Sequence, residues 1–179
     1  MSFDFTQKEI AEQYGLSLST VFNALEVPRR SGAIEVQGRG FRVADAQKLL
    51  YIWATFRNLK QDIIYETHVP VNVLEIEGMM IPQAIFGLFS AYTKKYKDAP
   101  ADYDRIYIYI DEKNMKDVEE RFPARKGYKN LVVLKADHWL KNFGSITPDA
   151  QTFVDLWNVS EWYAQDFLNA LKKRMALNT

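Results

Sequence analysis

The stretch IAEQYGLSLSTVFNAL, from Ile10 to Leu25, carries two short helical patterns hinged at a glycine. Upstream, Thr6 and Glu9 have the spacing of a capping box, in which each side chain satisfies an amide left unpaired at a helix start. Ile10, Ala11 and Tyr14 recur on one helical face, and Gly15 stands where a helix end favours a positive φ. Ser17 suits the cap of a second helix, which turns Leu18, Val21, Phe22 and Leu25 inward and ends before Pro28.

Working outward, RRSGAIEVQGRGFRV (29–43) alternates apolar and polar residues on both sides of Gln37-Gly38-Arg39-Gly40, the pattern of a β-hairpin. A helical pattern covers 44–59, with Leu49, Leu50, Ile52, Trp53 and Phe56 as its apolar face. A boundary near 60–68 divides the chain into 1–64 and 65–179. Beyond it lie a buried segment, a break at Pro82 and a helix toward Lys94. RIYIYID then reads as a strand over Ile106 to Ile110. A short surface helix spans 114–122, and Leu131 to Leu134 form a strand apolar enough to be central. Helical patterns cover 148–157 and 160–177. Helices with a hairpin, followed by mixed strands and helices, predict an α+β fold in two parts.

Composition bounds the chemistry. The 179 residues suit one large or two small domains, and 47% hydrophobic residues suffice for a packed core. The absence of cysteine excludes disulfides, thiolate metal sites and cysteine nucleophiles. His68 and His138 stand far apart, so no metal site and no cofactor are expected. Neither a signal peptide at MSFDFTQKEI nor an apolar run of ~20 residues is visible, which predicts a cytoplasmic protein without membrane contact. The 23 basic and 23 acidic side chains cancel, so any grip on nucleic acid must come from a local patch.

The order of Ala11, Gly15, Val21 and the hairpin resembles the winged helix-turn-helix of bacterial and archaeal regulators over about 40 residues. A small residue admits the crossing helix, and glycine permits the turn. On the second helix Ser17, Ser19, Thr20 and Asn23 face outward, short hydrogen-bonding side chains able to reach base edges in a major groove. Arg29, Arg30, Arg39 and Arg42 outnumber Glu35 between 28 and 43 and suit phosphates, with Arg39 at the hairpin tip. The reading is a sequence-specific regulator of transcription that binds double-stranded DNA. One lightly charged unit binds weakly, so a homodimer on two half-sites is expected.

In the second part, Gly87, Ser90, Asp102 and Asp104 look somewhat like the phosphate-holding helix start and metal-binding aspartates of nucleotidyltransferases. Gly87 and Ser90 are not adjacent, however, and Leu131 to Leu134 contain no third carboxylate, so catalysis is not expected. Gln151, Phe153, Asp155 and Leu156 resemble the QxYxDL ending of AbiE-type antitoxin regulators, with Phe153 in place of tyrosine. That resemblance implies a winged DNA-binding repressor with a degenerate nucleotidyltransferase-like second domain, paired with a toxin protein. In their immediate role Phe153, Leu156, Trp157, Trp162, Tyr163 and Phe167 are expected core residues at helical spacing. The alternatives are an enzyme using Asp102 and Asp104, or a protein-interaction module that does not bind DNA.

Overall fold

A computed structural model describes residues 4–38 and 40–177. The fold is α+β, with helices and two separate sheets. It divides between Phe56 and Arg57 into two compact units.

In the first unit a short strand β1 (Asp4–Phe5) leads into α1 (Gln7–Tyr14). The capping box forms: Glu9 Oε2 accepts from the Thr6 amide at 2.9 Å, and Thr6 Oγ1 from the Glu9 amide at 3.1 Å. Gly15 closes α1 with φ +63°; its amide donates to the Glu12 carbonyl, and the Leu16 amide donates to the Ala11 carbonyl at 2.9 Å. This is a Schellman turn, which reverses the chain within two residues and ends α1 next to the start of α2 (Leu18–Ala24). Pro28 lies beyond the end of the second helix, as expected, and falls inside a further short helix, α3 (Glu26–Arg30). Its missing amide costs nothing in a first turn, so the chain resumes helix after Leu25.

Strands β2 (Ile34–Gln37) and β3 (Gly40–Val43) pair antiparallel, and β1 joins the other edge of β3. A Cβ at Gly40 would lie 2.5 Å from the Phe5 carbonyl oxygen, so only glycine lets β1 approach. Helix α4 (Ala46–Phe56) completes the unit. Its buried residues are Leu50 and Ala54, while Trp53 and Phe56 of the expected apolar face are exposed. On α2 only Val21 is buried; Leu18 and Phe22, expected inward, are 55% and 49% exposed. So small a unit has too little interior to cover more than one stripe of a seven-residue helix.

The second unit holds a mixed sheet in the order β4 (Ile63–Thr67), β7 (Leu131–Lys135), β6 (Ile106–Ile110), β5 (Ile85–Phe86). Only the β6–β7 pair is parallel. Residues 63–67, where the sequence suggested a boundary, are an edge strand of this sheet, which accounts for the earlier division at residue 56. Strand β6 is buried at every position. Ile106, Ile108 and Ile110 join Leu131 and Val133 on one face, packed with Ile76 of α5 (Val73–Gly78) and Val118 of α7 (Met115–Arg121). Tyr107 and Tyr109 point to the other face, toward α6 (Leu88–Tyr96), α8 (Asp149–Trp157) and α9 (Ala164–Arg174).

There Phe89 and Phe167 pack edge to face at 5.1 Å, with Tyr163 4.7 Å from Phe89. Phe153, Leu156, Tyr163 and Phe167 are buried as expected, but Trp157 and Trp162 are 45% and 78% exposed. Trp157 ends α8, and Trp162 sits in the turn before α9, where helical spacing no longer decides which way a side chain points. No helix among the described residues is long and apolar enough to cross a membrane.

The Gly15 turn provides a clean test. A Cβ there meets nothing within 4 Å, so Gly15→Ala carries only the cost of a left-handed backbone. We expect a loss of about 1–2 kcal/mol in chemical denaturation. An unchanged midpoint means that the turn relaxes freely.

Candidate functional site

The outward side of α2 carries a short polar row. Ser17 caps the helix by accepting from the Thr20 amide at 3.0 Å, and its hydroxyl lies 2.8 Å from both Ser19 Oγ and Thr20 Oγ1. All three are exposed, as is Asn23, whose amide has no side-chain partner among the described residues. Beside this row the apolar side chains of Leu16, Leu18, Phe22 and Val27 also face solvent.

The arginines expected to hold phosphates are already engaged. Arg42 donates to Glu35 across the hairpin at 2.6 and 3.0 Å. Arg30 lies 3.7 Å from Glu26, one helical turn away. The Arg29 guanidinium sits 4.9 Å from the Phe22 ring centroid, with its Nε buried and unpaired. Arg39 lies outside the described residues. Exposed ion pairs contribute at most about 1 kcal/mol, so a phosphate can displace Glu35 or Glu26 at small cost.

The second unit arranges its motif residues differently from either family likeness. Gly87 precedes α6, but Ser90 lies three residues on, fully buried within that helix. Asp102 and Asp104 are exposed in the loop before β6. Asp104 Oδ1 accepts from the Tyr128 and Tyr163 hydroxyls at 2.9 and 2.7 Å, which ties the loop to α9 and to the turn before β7. Asn130 bonds both backbone groups of Val69, at 2.8 and 2.9 Å, and so stands in for a strand neighbour. Among the described residues no three His, Asp or Glu side chains are grouped to hold a metal ion.

Gln151 and Asp155, one turn apart on α8, belong to a buried cluster. Asp155 is fully buried; its Oδ2 accepts from Tyr109 at 2.6 Å, its Oδ1 from Arg57 Nε at 3.0 Å, and Gln151 donates to both oxygens at 3.0 Å. Arg57 also donates to the Tyr109 hydroxyl at 3.0 Å and pairs with Asp62. Burial pushes the Asp155 carboxyl upward, against the pull of Tyr109, Arg57 and Gln151. Burial likewise raises Tyr109, helped by Asp155. The cluster lies inside the unit, and every member is spent on another, so its role is architectural. From sequence alone Arg57 and Tyr109 were not recognisable as partners, since 98 residues separate Arg57 from Asp155.

No family model matches the chain, and neither a curated protein nor a solved structure matches it.

Two measurements check this account. Asp155→Ala strands the Arg57 charge in a largely buried position, and we expect a loss of about 3–5 kcal/mol in equilibrium unfolding. A loss under about 1 kcal/mol means that Asp62 alone suffices for Arg57. The tyrosines report on alkaline stability: burial, with Glu77 nearby, pushes Tyr103 up to about 12, and burial also raises Tyr107 and Tyr163. The folded state thus holds these protons more tightly than the unfolded chain. Their contribution is intact below about pH 10, the ordinary tyrosine value, and is lost as pH climbs toward 12. Denaturation midpoints that stay flat from pH 10 to 12 contradict this.

Proposed function

We propose that the chain is a sequence-specific regulator of transcription that binds double-stranded DNA through its first unit. The observation that carries the reading is the Gly15 turn, which ends α1 beside a serine-capped α2 whose Ser19, Thr20 and Asn23 are exposed, with a hairpin following. Ser17, Ser19, Thr20 and Asn23 address base edges and nearby phosphates. Arg29, Arg30, Arg39 and Arg42 hold phosphates, with Arg30 and Arg42 exchanging their carboxylate partners for the DNA backbone. With zero net charge the affinity of one copy is modest, and a homodimer spanning two half-sites supplies the remainder. The likeness of the α8 segment to AbiE-type antitoxin regulators adds a toxin protein as partner.

A second reading is favoured by one observation. The exposed Leu18 and Phe22, one helical turn apart on α2, suit a protein contact better than a polar groove. In that reading the unit is an interaction module.

Selection of bound genomic fragments, followed by titration across a salt series, separates the two. We expect Asn23→Ala to weaken the selected site by about 1–3 kcal/mol while sparing random DNA. Combined Arg39→Ala and Arg42→Ala should reduce the salt slope by about two and weaken all sequences alike. Undetectable binding at low salt, or a slope unmoved by the double substitution, overturns the DNA reading. Loss of self-association in Leu18→Ser with Phe22→Ser, without any DNA binding by the parent chain, establishes the interaction module.

A further inference from the structure

A cavity of about 460 Å³ opens in the second unit between the edge strand β4, the turn at 59–62 and the connection from α8 to α9. Its apolar wall is Leu59, Ile63 and Val159. Four charged side chains line it: Lys60, Glu66, Arg105 and Glu161. Arg105 Nη1 donates to Glu161 Oε1 at 2.7 Å, and the Tyr107 hydroxyl donates to the same oxygen at 2.5 Å. The other oxygen, Glu161 Oε2, is buried without a partner, in a side chain only 8% exposed. Lys60 and Glu66 make no ion pair among the described residues.

A buried carboxylate oxygen left unpaired is costly, and a ligand that donates to it recovers that cost. The charges around the cavity cancel, so a ligand of zero net charge fits best. A neutral ligand that donates to Glu161 while answering the ammonium of Lys60 has a positive and a negative end. The volume falls in the range of small-molecule sites, and the apolar wall suits an aliphatic body.

We propose that this cavity binds a small zwitterion of amino-acid type, its ammonium group donating to Glu161 Oε2, its carboxylate meeting Lys60, and its side chain lying on Leu59, Ile63 and Val159. Binding here requires no DNA and leaves the surface of α2 untouched.

Amide NMR titration of the full-length chain with the common amino acids tests this, reading shifts at 59–66 and 158–161. L-leucine is the expected binder among them. Two truncated probes dissect its ends: isoamylamine lacks the carboxylate, and 4-methylpentanoate lacks the ammonium. Each should bind at least about tenfold more weakly than leucine, as should leucine to Glu161→Gln and to Lys60→Ala. If Glu161→Gln does not fold, Lys60→Ala and the two truncated probes decide. The proposal falls if no amino acid gives saturable shifts in these segments, if the three probes bind equally, or if Lys60→Ala leaves affinity unchanged.

Discussion

The carboxylate of Asp155 organises the second unit. It is fully buried, and four hydrogen bonds converge on it from Tyr109, Arg57 and Gln151. A buried charge is tolerated only when it is paired and hydrogen-bonded, so each partner must sit in one place for the others to be satisfied. Tyr109 belongs to the sheet, Gln151 to α8, and Arg57 to the start of the unit. The cluster therefore fixes α8 over the sheet at the position where these three elements can meet. Apolar packing alone would allow α8 to slide, because many registers bury leucine and phenylalanine equally well.

Strand β6 makes this arrangement possible. Its isoleucines enter a largely apolar layer with α5 and α7, while its tyrosines enter a layer where hydroxyls need partners. Tyr107 finds Glu161 and Tyr109 finds Asp155, so the alternation sorts an oily face from a hydrogen-bonding face on a strand buried on both sides. Glu161, whose second oxygen is buried without a partner, also lines the cavity beside β4.

The first unit works on a different balance. Its helices are eight residues or shorter except α4, and among the described residues its buried interior is Ala11, Val21, Pro28, Ala33, Ile34, Phe41, Leu50 and Ala54. Local devices carry much of the shape: the capping box at Thr6, the Schellman turn at Gly15, the serine cap of α2 and the close approach of Phe5 to Gly40. Short helices are marginal without such devices and without packing. The same economy leaves Leu18 and Phe22 in solvent beside Ser19, Thr20 and Asn23, which gives α2 a mixed face.

What the sequence determined by itself was local. Caps, the left-handed glycine, the hairpin and the two central strands follow from interactions among residues a few positions apart, and all of them were legible. So was the outward direction of Ser19, Thr20 and Asn23. The tertiary structure decided what depends on distant neighbours. β4 is a strand because β7 lies beside it, and Trp53, Phe56, Trp157 and Trp162 keep much of their surface in solvent because helical spacing does not fix what packs opposite them. Gln151 and Asp155 were visible as a motif, but their partners Arg57 and Tyr109 were not. The arginines near the hairpin read as a free basic patch, whereas folding pairs Arg42 with Glu35 and Arg30 with Glu26. Periodicity reports which side of an element is apolar; only the packed chain settles what stands opposite, since burial and charge pairing are properties of two surfaces and not of one.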